Sequence, residues 1–528
     1  MPEKVTSQDQ PSTPRHVTED QSAVLRWLDD PAAYGPGIQD VERIDTHGAI
    51  VFLAGDRAYK VKRAVAYPYM DFSTLEKRRR MCLRERTLNR RTAPELYLDV
   101  VPVTQSPEGL RLGGDGDPVE WVLVMRRFDQ DRLLSRLADA DRLTAESIGA
   151  LADAVARFHD TAEPRADGTG GAEAMRWVVS ENGEEFAERT DIFDPDAARR
   201  LTERGLAQLD RHAALLDARA AGGKVRLCHG DLHLRNVVLL DSVPTLFDAI
   251  EFNDAIACID VIYDLAFLLM DLDHRGLRSF ANLVLNRYLQ HRDESDALAL
   301  LPLFLSARAA VRAKVAASLE AVAGDAAEKA ARQAEALDYF GQAQAYLDPP
   351  PPCLVAVGGL SGTGKTTLAR ALAPDLGAAP GALHLRSDVL RKQLAGVAEL
   401  DRLPPAAYTP EASAAVYTAL AERARQALAA GQAVVADAVF AKPGERDAIA
   451  QVARDAGVAF TGLWLEADTA VLSARVTERR GDASDATAAV VEHQLTYDLG
   501  SIDWPRMSAD RPLAALRAEA TAILDESL

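Results

Sequence analysis

The sequence predicts two fold classes in one chain, an α+β N-terminal part and an α/β C-terminal part, joined at a run of four prolines. Three observations predict them. Short alternating apolar runs over residues 43–63 give way to long stretches of helical period, whereas strands and helices alternate after residue 352. At 528 residues the chain also exceeds what one hydrophobic core supports.

Residues 1–22 mix Pro, Ser, Thr, Gln and charge without periodicity and read as a flexible tail. The runs IVFLAG and AYKVKRA, separated by Gly55 and Asp56, predict an antiparallel hairpin. Residues 72–91 predict a helix and VEWVLVMRRF a strand ending near Phe128, so residues 23–128 form one lobe. Residues 129–347 form a second, mostly helical lobe, interrupted by the strand-like RLCHG and VPTLFDAIEF near residues 226–252. Four consecutive prolines cannot continue a helix, which makes residues 348–352 a stiff spacer. From 353 to 528 the order is CLVAVGG, a helix from Lys365, ALHLRS, helices to Ala430, QAVVADA, a helix, VAFTGLWLEA and closing helices. Such alternation implies right-handed crossovers and a parallel sheet with helices on both faces.

Composition narrows the function classes. With 48% hydrophobic and 26% charged residues the chain is ordinary globular protein. Cys82, Cys228, Cys258 and Cys353 form no CxxC pair, which argues against a disulfide framework or a zinc site and fits a reducing cytoplasm. No stretch approaches ~20 uninterrupted apolar residues, and the polar start is unlike an export leader, so no membrane association is expected. A net charge of −19 repels nucleic-acid phosphates.

Residues 359–366, GLSGTGKT, satisfy the spacing G-x4-G-K-[ST], after an apolar strand and at the start of a helix. Backbone around Gly359, Ser361, Gly362, Thr363, Gly364 and Thr367 is expected to converge on phosphate, with Lys365 reaching the β and γ phosphates and the Thr366 hydroxyl facing magnesium. The next two strands end in Asp388 and Asp437, at the carboxyl edge where a parallel sheet binds ligands. Asp388 is placed to orient or deprotonate an acceptor hydroxyl, or to cap the helix VLRKQL, or both. Asp437 is placed to hold magnesium and Arg391 to face the acceptor. Arg475, Arg479 and Arg480 precede the polar stretch GDASDA, which reads either as a lid over the transferred phosphoryl group or as a solvated helix end. On the phosphate loop, the SDVLR run and the RRGDASDA segment, residues 353–528 resemble small P-loop kinases of the gluconate-, shikimate- and polynucleotide-kinase type. They look most like uncharacterised kinases fused to aminoglycoside-phosphotransferase-like domains. This segment carries 17 Lys and Arg against 22 Asp and Glu, favouring a small-molecule acceptor over a nucleic acid.

The N-terminal part holds a second motif, His229-Gly-Asp231-Leu-His233-Leu-Arg-Asn236, with the spacing H-x-D-x4-N, followed by an apolar strand ending at Asp248. In this pattern Asp231 receives or orients the acceptor hydroxyl proton, Asn236 and Asp248 hold magnesium, and His233 is a candidate acceptor contact. These residues resemble the aminoglycoside and choline/fructosamine phosphotransferase family, which implies a bilobal protein-kinase-like fold. Asp260 and Asp264 look like that family's helix after the metal site. The resemblance implies that Lys60 pairs ATP phosphates and Glu85 holds that lysine, although Lys62 lies on the same strand face. No GxGxxG precedes Lys60, and residues 45–48, ending in Gly48, are the candidate phosphate-covering turn. Glu251 is a candidate extra metal ligand. Arg308, Arg312 and Lys314 read either as a site for a phosphorylated acceptor or as a solvated helix face.

Together these readings predict an ATP- and magnesium-dependent enzyme with two kinase sites, each phosphorylating a hydroxyl of a small molecule. The alternatives are a P-loop kinase regulated by a nucleotide- or metabolite-sensing partner domain, a C-terminal nucleic-acid end kinase, and an N-terminal antibiotic-modifying enzyme, whose polycationic acceptor would require an acidic pocket.

Overall fold

The computed structural model describes residues 16–67, 69–165, 169–320, 324–478 and 480–527. They divide into two compact units, the described residues within 16–170 and 220–264 and those within 171–219 and 265–527.

In the first unit, β1 (Val41–Asp45), β2 (Ala49–Ala54), β3 (Arg57–Lys62), β4 (Tyr97–Ser106), β5 (Gly109–Leu112) and β6 (Asp117–Arg126) form an antiparallel sheet in the order β1-β2-β3-β6-β4-β5. The expected hairpin is β2–β3, with Ala54 opposite Arg57. Alternation places Val61 in the core with Ile50, Phe52 and Val122, and leaves Lys60 and Lys62 on the opposite face, where helix α1 (Leu75–Asn89) supplies Glu85. Of the expected tail, residues 16–21 are tied to this lobe. Val17 bridges Val65, Gln21 Nε2 donates to Glu120 Oε2 at 2.6 Å, and buried Arg78 lies between Glu19 and Glu120. Residues 1–15 lie outside the described residues.

The strand-like runs further along are shorter than the sequence suggests. Val225–Leu227 pairs with Cys258–Asp260, and Val237–Leu240 pairs with Val243–Leu246. The latter strand stops before Asp248 because Asp248 adopts φ +63°, a left-handed conformation that ends extended pairing.

The second unit contains α2 (Arg278–His291), the helices Leu301–Glu320 and Ala326–Tyr346, and a parallel sheet. Its strands β7 (Cys353–Gly359), β8 (Leu383–Arg386), β9 (Val434–Asp437), β10 (Ala459–Glu466) and β11 (Arg506–Ser508) lie in the order β8-β9-β7-β10-β11. Cys353, Val355 and Val357 pack on α3 (Lys365–Leu372) and the helix Leu513–Ser527. Leu354 and Ala356 point the other way and are equally buried, so both faces are covered. Between β8 and β9 lie α4 (Ser387–Leu394) and the helix Pro410–Ala429.

Arg308, Arg312 and Lys314 form neither an acceptor site nor a solvated face. Arg308 is buried over the Phe267 ring, Arg312 stacks on Tyr339, and Lys314 pairs with Glu181 and Glu185. The two guanidinium planes pack on rings and the Lys314 ammonium is held by carboxylates, so all three serve the helical layer instead. Among the described residues no helix is long and apolar enough to cross a membrane.

Candidate active sites

In the first unit Thr74 caps α1 by accepting from the Lys77 N–H, and the helix carries Glu85 to both strand lysines. Lys60 Nζ lies 2.7 Å from Glu85 Oε1 and 2.6 Å from Asp248 Oδ1. Lys62 Nζ lies 2.7 Å from Glu85 Oε2 and 2.5 Å from Glu251 Oε1. The lysines therefore differ. Lys60 reaches a carboxylate that keeps 42% of its side chain exposed, whereas Lys62 is 2% exposed and lies over the Phe72 ring. Glu251 is turned to Lys62 and is buried with it rather than standing open beside Asp248.

Burial opposes charge throughout this cluster, and pairing decides each outcome. For Glu85, Lys60 and Lys62 outweigh burial and draw the carboxyl to about 2. Burial likewise opposes the Lys60 ammonium, but Asp248 and Glu85 hold it charged well above its ordinary range. For Glu251 burial prevails over Lys62, and its carboxyl is pushed up.

The strained Asp248 backbone is held from the strand-rich lobe. Its N–H donates to Tyr97 Oη at 2.9 Å, and the Ala249 N–H donates to Asn89 Oδ1 at 2.8 Å. Both supports are buried. The H-x-D-x4-N loop is held from the other side. Asp264 accepts the N–H groups of His229 at 3.1 Å and Gly230 at 2.9 Å, and His159 Nε2 lies 3.1 Å from it. His159, Cys228 and Asp264 are close enough to hold a metal, but the buried Asp264 carboxylate is already engaged in pinning this loop. Asn236 Nδ2 donates to Asp231 Oδ2 at 2.8 Å, and His233 Nε2 lies 3.3 Å from the same oxygen. The Asn236 carbonyl accepts from the Phe247 N–H at 3.0 Å, which sets the loop beside the segment bearing Asp248. The 45–48 turn is closed by Thr46, whose hydroxyl donates to the Ala49 carbonyl.

In the second unit Gly359, Gly362 and Gly364 have φ of +138°, +89° and +87°. A Cβ at Gly359 would stand 2.5 Å from the Leu465 carbonyl oxygen, and one at Gly362 2.7 Å from that of Leu472. Gly364 instead opens onto a cleft of about 1520 Å³ and has nothing within 4 Å of a Cβ. Lys365 begins α3, and its Nζ donates to the Leu360 carbonyl at 2.9 Å. The Thr366 hydroxyl, in the first turn of α3, donates at 2.5 Å to Oδ2 of Asp437 at the end of β9, the strand paired with β7. Asp437 is buried, which opposes its charge, but His384, Lys365 and Arg386 prevail and draw its carboxyl to about 2. The Thr363 hydroxyl turns inward to the Leu360 carbonyl, while Ser361 and Thr367 line the cleft.

Asp388 lines the same cleft, and its carboxylate takes no hydrogen bond or ion pair among the described residues. The N-cap of α4 is Arg386, so Asp388 sits in the first turn and does not cap it. Arg391 stacks over Tyr408 and donates to the Ala407 carbonyl at 2.7 Å at the cleft wall. Arg480 lines the cleft, whereas Arg479 lies outside the described residues. Arg475 points away from the lid assignment, since it donates to the carbonyls of Gly362 and Ala509 and so braces the phosphate loop. In GDASDA, Asp482 pairs with Arg386 at 2.8 Å and Asp485 with Lys392 at 2.7 Å. Gln494 accepts the Ser361 N–H at 2.8 Å.

Sequence reasoning missed Tyr97, Asn89, His384, Arg386 and Gln494. Only His384 and Arg386 left a local sign, alternating on one face of ALHLRS toward Asp437.

Residues 77–300 match the model of a phosphotransferase enzyme family, and residues 354–497 match that of an AAA domain. The uncharacterised protein Rv2004c of Mycobacterium tuberculosis is 32% identical over 469 residues, covering 86% of this chain and 90% of that protein. Among solved structures, a gluconokinase from Sinorhizobium meliloti is 24% identical with a TM-score of 0.25, covering 33% of this chain and 93% of its own. A choline/ethanolamine kinase family protein from Mesorhizobium loti is 13% identical with a TM-score of 0.37, covering 60% of this chain and 93% of its own.

Proposed function

Given that the chain belongs to the family of the mycobacterial protein Rv2004c and joins a phosphotransferase-family domain to a P-loop kinase domain, we propose that it is an ATP-dependent phosphotransferase with two active sites, each acting on a hydroxyl of a small molecule. One observation supports this reading: each unit carries its own ammonium, its own oxygen donors and its own further carboxylate. In the first these are Lys60, Asn236 with Asp248, and Asp231. In the second they are Lys365, Thr366 with Asp437, and Asp388.

Carboxylate, amide and hydroxyl oxygens are the hard donors that suit magnesium. Bound magnesium neutralises charge on the terminal phosphates. The chain's own groups do the rest. Lys60, kept charged by Glu85, holds phosphate oxygens, and Asp231, oriented by Asn236, receives the acceptor hydroxyl proton. In the second site the N–H groups of the glycine loop and the start of α3 receive phosphate, Lys365 reaches the terminal phosphates, and Asp388 receives the acceptor proton. Arg391, Arg480 and, in the first site, His233 are the acceptor contacts of this proposal.

A small acceptor is supported over a nucleic acid by the mixed charge of the second cleft, which Arg287, Arg402 and Lys442 line together with Glu399, Asp482 and Asp485. The proposal takes residues 23–128 and 129–347 as the lobes of the first kinase, 348–352 as the spacer and 353–528 as the second kinase. It takes the protein to be cytoplasmic, since four free thiols suit a reducing compartment.

The test is transfer of labelled γ-phosphate to a library of hydroxylated metabolites by the full chain carrying Lys365→Ala, Asp231→Ala or both. Each single variant is expected to keep one set of acceptors and the double variant none. Unchanged activity on every acceptor in Asp231→Ala ends the case for the first site.

A further inference from the structure

We propose that the second site is not completed within the segment after the prolines: α2, which lies inside the residues matching the phosphotransferase model, is a working part of it, with Arg287 a positioning residue for Asp437. The inference rests on the reading of that cleft as a magnesium-dependent kinase site.

Two lines of contact converge on Asp437. The first runs through the edge of the parallel sheet. Strand β8 is terminal in that sheet, and an edge strand exposes backbone groups that require partners. Asn282 Nδ2 donates to the Ala382 carbonyl at 3.0 Å, and Asn286 Oδ1 accepts the His384 N–H at 2.7 Å. Both asparagines are buried, so these bonds are costly to lose. The residue they fix, His384, places Nε2 3.4 Å from Asp437. Gln393 Nε2 donates to the Gln290 carbonyl at 3.0 Å and ties α4 to the same helix.

The second line is a chain of alternating charge. Arg287 lines the cleft and pairs with Glu399. Glu399 Oε1 lies 3.6 Å from Arg386, and Arg386 Nε lies 3.9 Å from Asp437 Oδ2. Arg386 is thus shared between Glu399, Asp482 and Asp437. Arg287 satisfies Glu399. Without it, Glu399 competes for Arg386 and loosens the grip on the carboxylate that faces Thr366.

The experiment uses the full chain with Asp231→Ala, which silences the first site, and reads acceptor-free Mg-ATP turnover against free magnesium. Unfolding midpoints are recorded alongside. Arg287→Ala is expected to raise the magnesium needed for half-maximal turnover by about 10-fold, as outer partners of metal-holding groups do. Arg287→Lys should restore most of this. Arg287→Ala with Glu399→Gln should recover it too, because the competing charge is gone. Asn286→Ala should shift magnesium dependence in the same direction. Lys365→Ala in the same background reports on the site itself: if it leaves turnover intact, the kinase reading of this cleft fails. If Lys365→Ala abolishes turnover while Arg287→Ala and Asn286→Ala keep the parental magnesium dependence, this inference fails. A lowered unfolding midpoint without a magnesium shift in the folded protein also overturns it.

Discussion

Glu85 divides its carboxylate between Lys60 and Lys62, one oxygen 2.7 Å from each ammonium. The same buried group thereby steadies the lysine that faces Asp248 and the one that faces Glu251.

Removing Lys62 should therefore damage the fold more than it damages nucleotide contact. Lys62→Met leaves Glu251 buried without its partner, and breaking a buried pair from one side costs about 3–5 kcal/mol. Urea unfolding of the first unit should show that loss. Lys60→Met should instead weaken binding of a fluorescent ATP analogue in a Lys365→Ala chain.

Acid should reveal Glu85 directly. Its carboxyl is drawn to about 2 in the fold and titrates near 4.3 when unfolded. Its contribution is complete above roughly pH 5 and disappears as pH falls toward 2; the shift corresponds to about 3 kcal/mol. Urea midpoints from pH 7 to 3 should fall in the parent below that point, and Glu85→Gln should start lower and fall less steeply.

Tyr97→Phe deletes the acceptor for the Asp248 N–H. An unsatisfied buried donor costs about 1–3 kcal/mol, and here the cost falls on the aim of the carboxylate proposed to hold magnesium. In a chain silenced at Lys365, half-maximal turnover should need more magnesium, with Tyr97→His tested for partial rescue.

Gly359→Ala sets a methyl group 2.5 Å from the Leu465 carbonyl oxygen at φ +138°. The loop must shift or strain by about 1–3 kcal/mol. Nucleotide affinity of an Asp231→Ala chain should fall sharply by fluorescence titration, whereas Gly444→Ala, in open space, should leave it unchanged.

The motifs that could be read from the sequence were those whose chemistry needs fixed local spacing. Residues 359–366 and the H-x-D-x4-N run keep their members within one loop, and the alternation after residue 352 announced the parallel sheet. Supports acting across the fold left no such sign. Tyr97 is 151 positions from Asp248 and Asn286 98 from His384, and neither meets its partner until the chain is packed. The Arg308 helix misled because its charges suggested water or ligand, while aromatic rings and acidic neighbours had absorbed them.

Arg475 and Gln494 grip the glycine loop by a carbonyl and an amide N–H. Little of the binding free energy then goes into ordering that backbone, so affinity at this cleft reports mainly on phosphate contacts. Loosening either brace should appear first as faster nucleotide escape, with the chemical step itself left largely as it was.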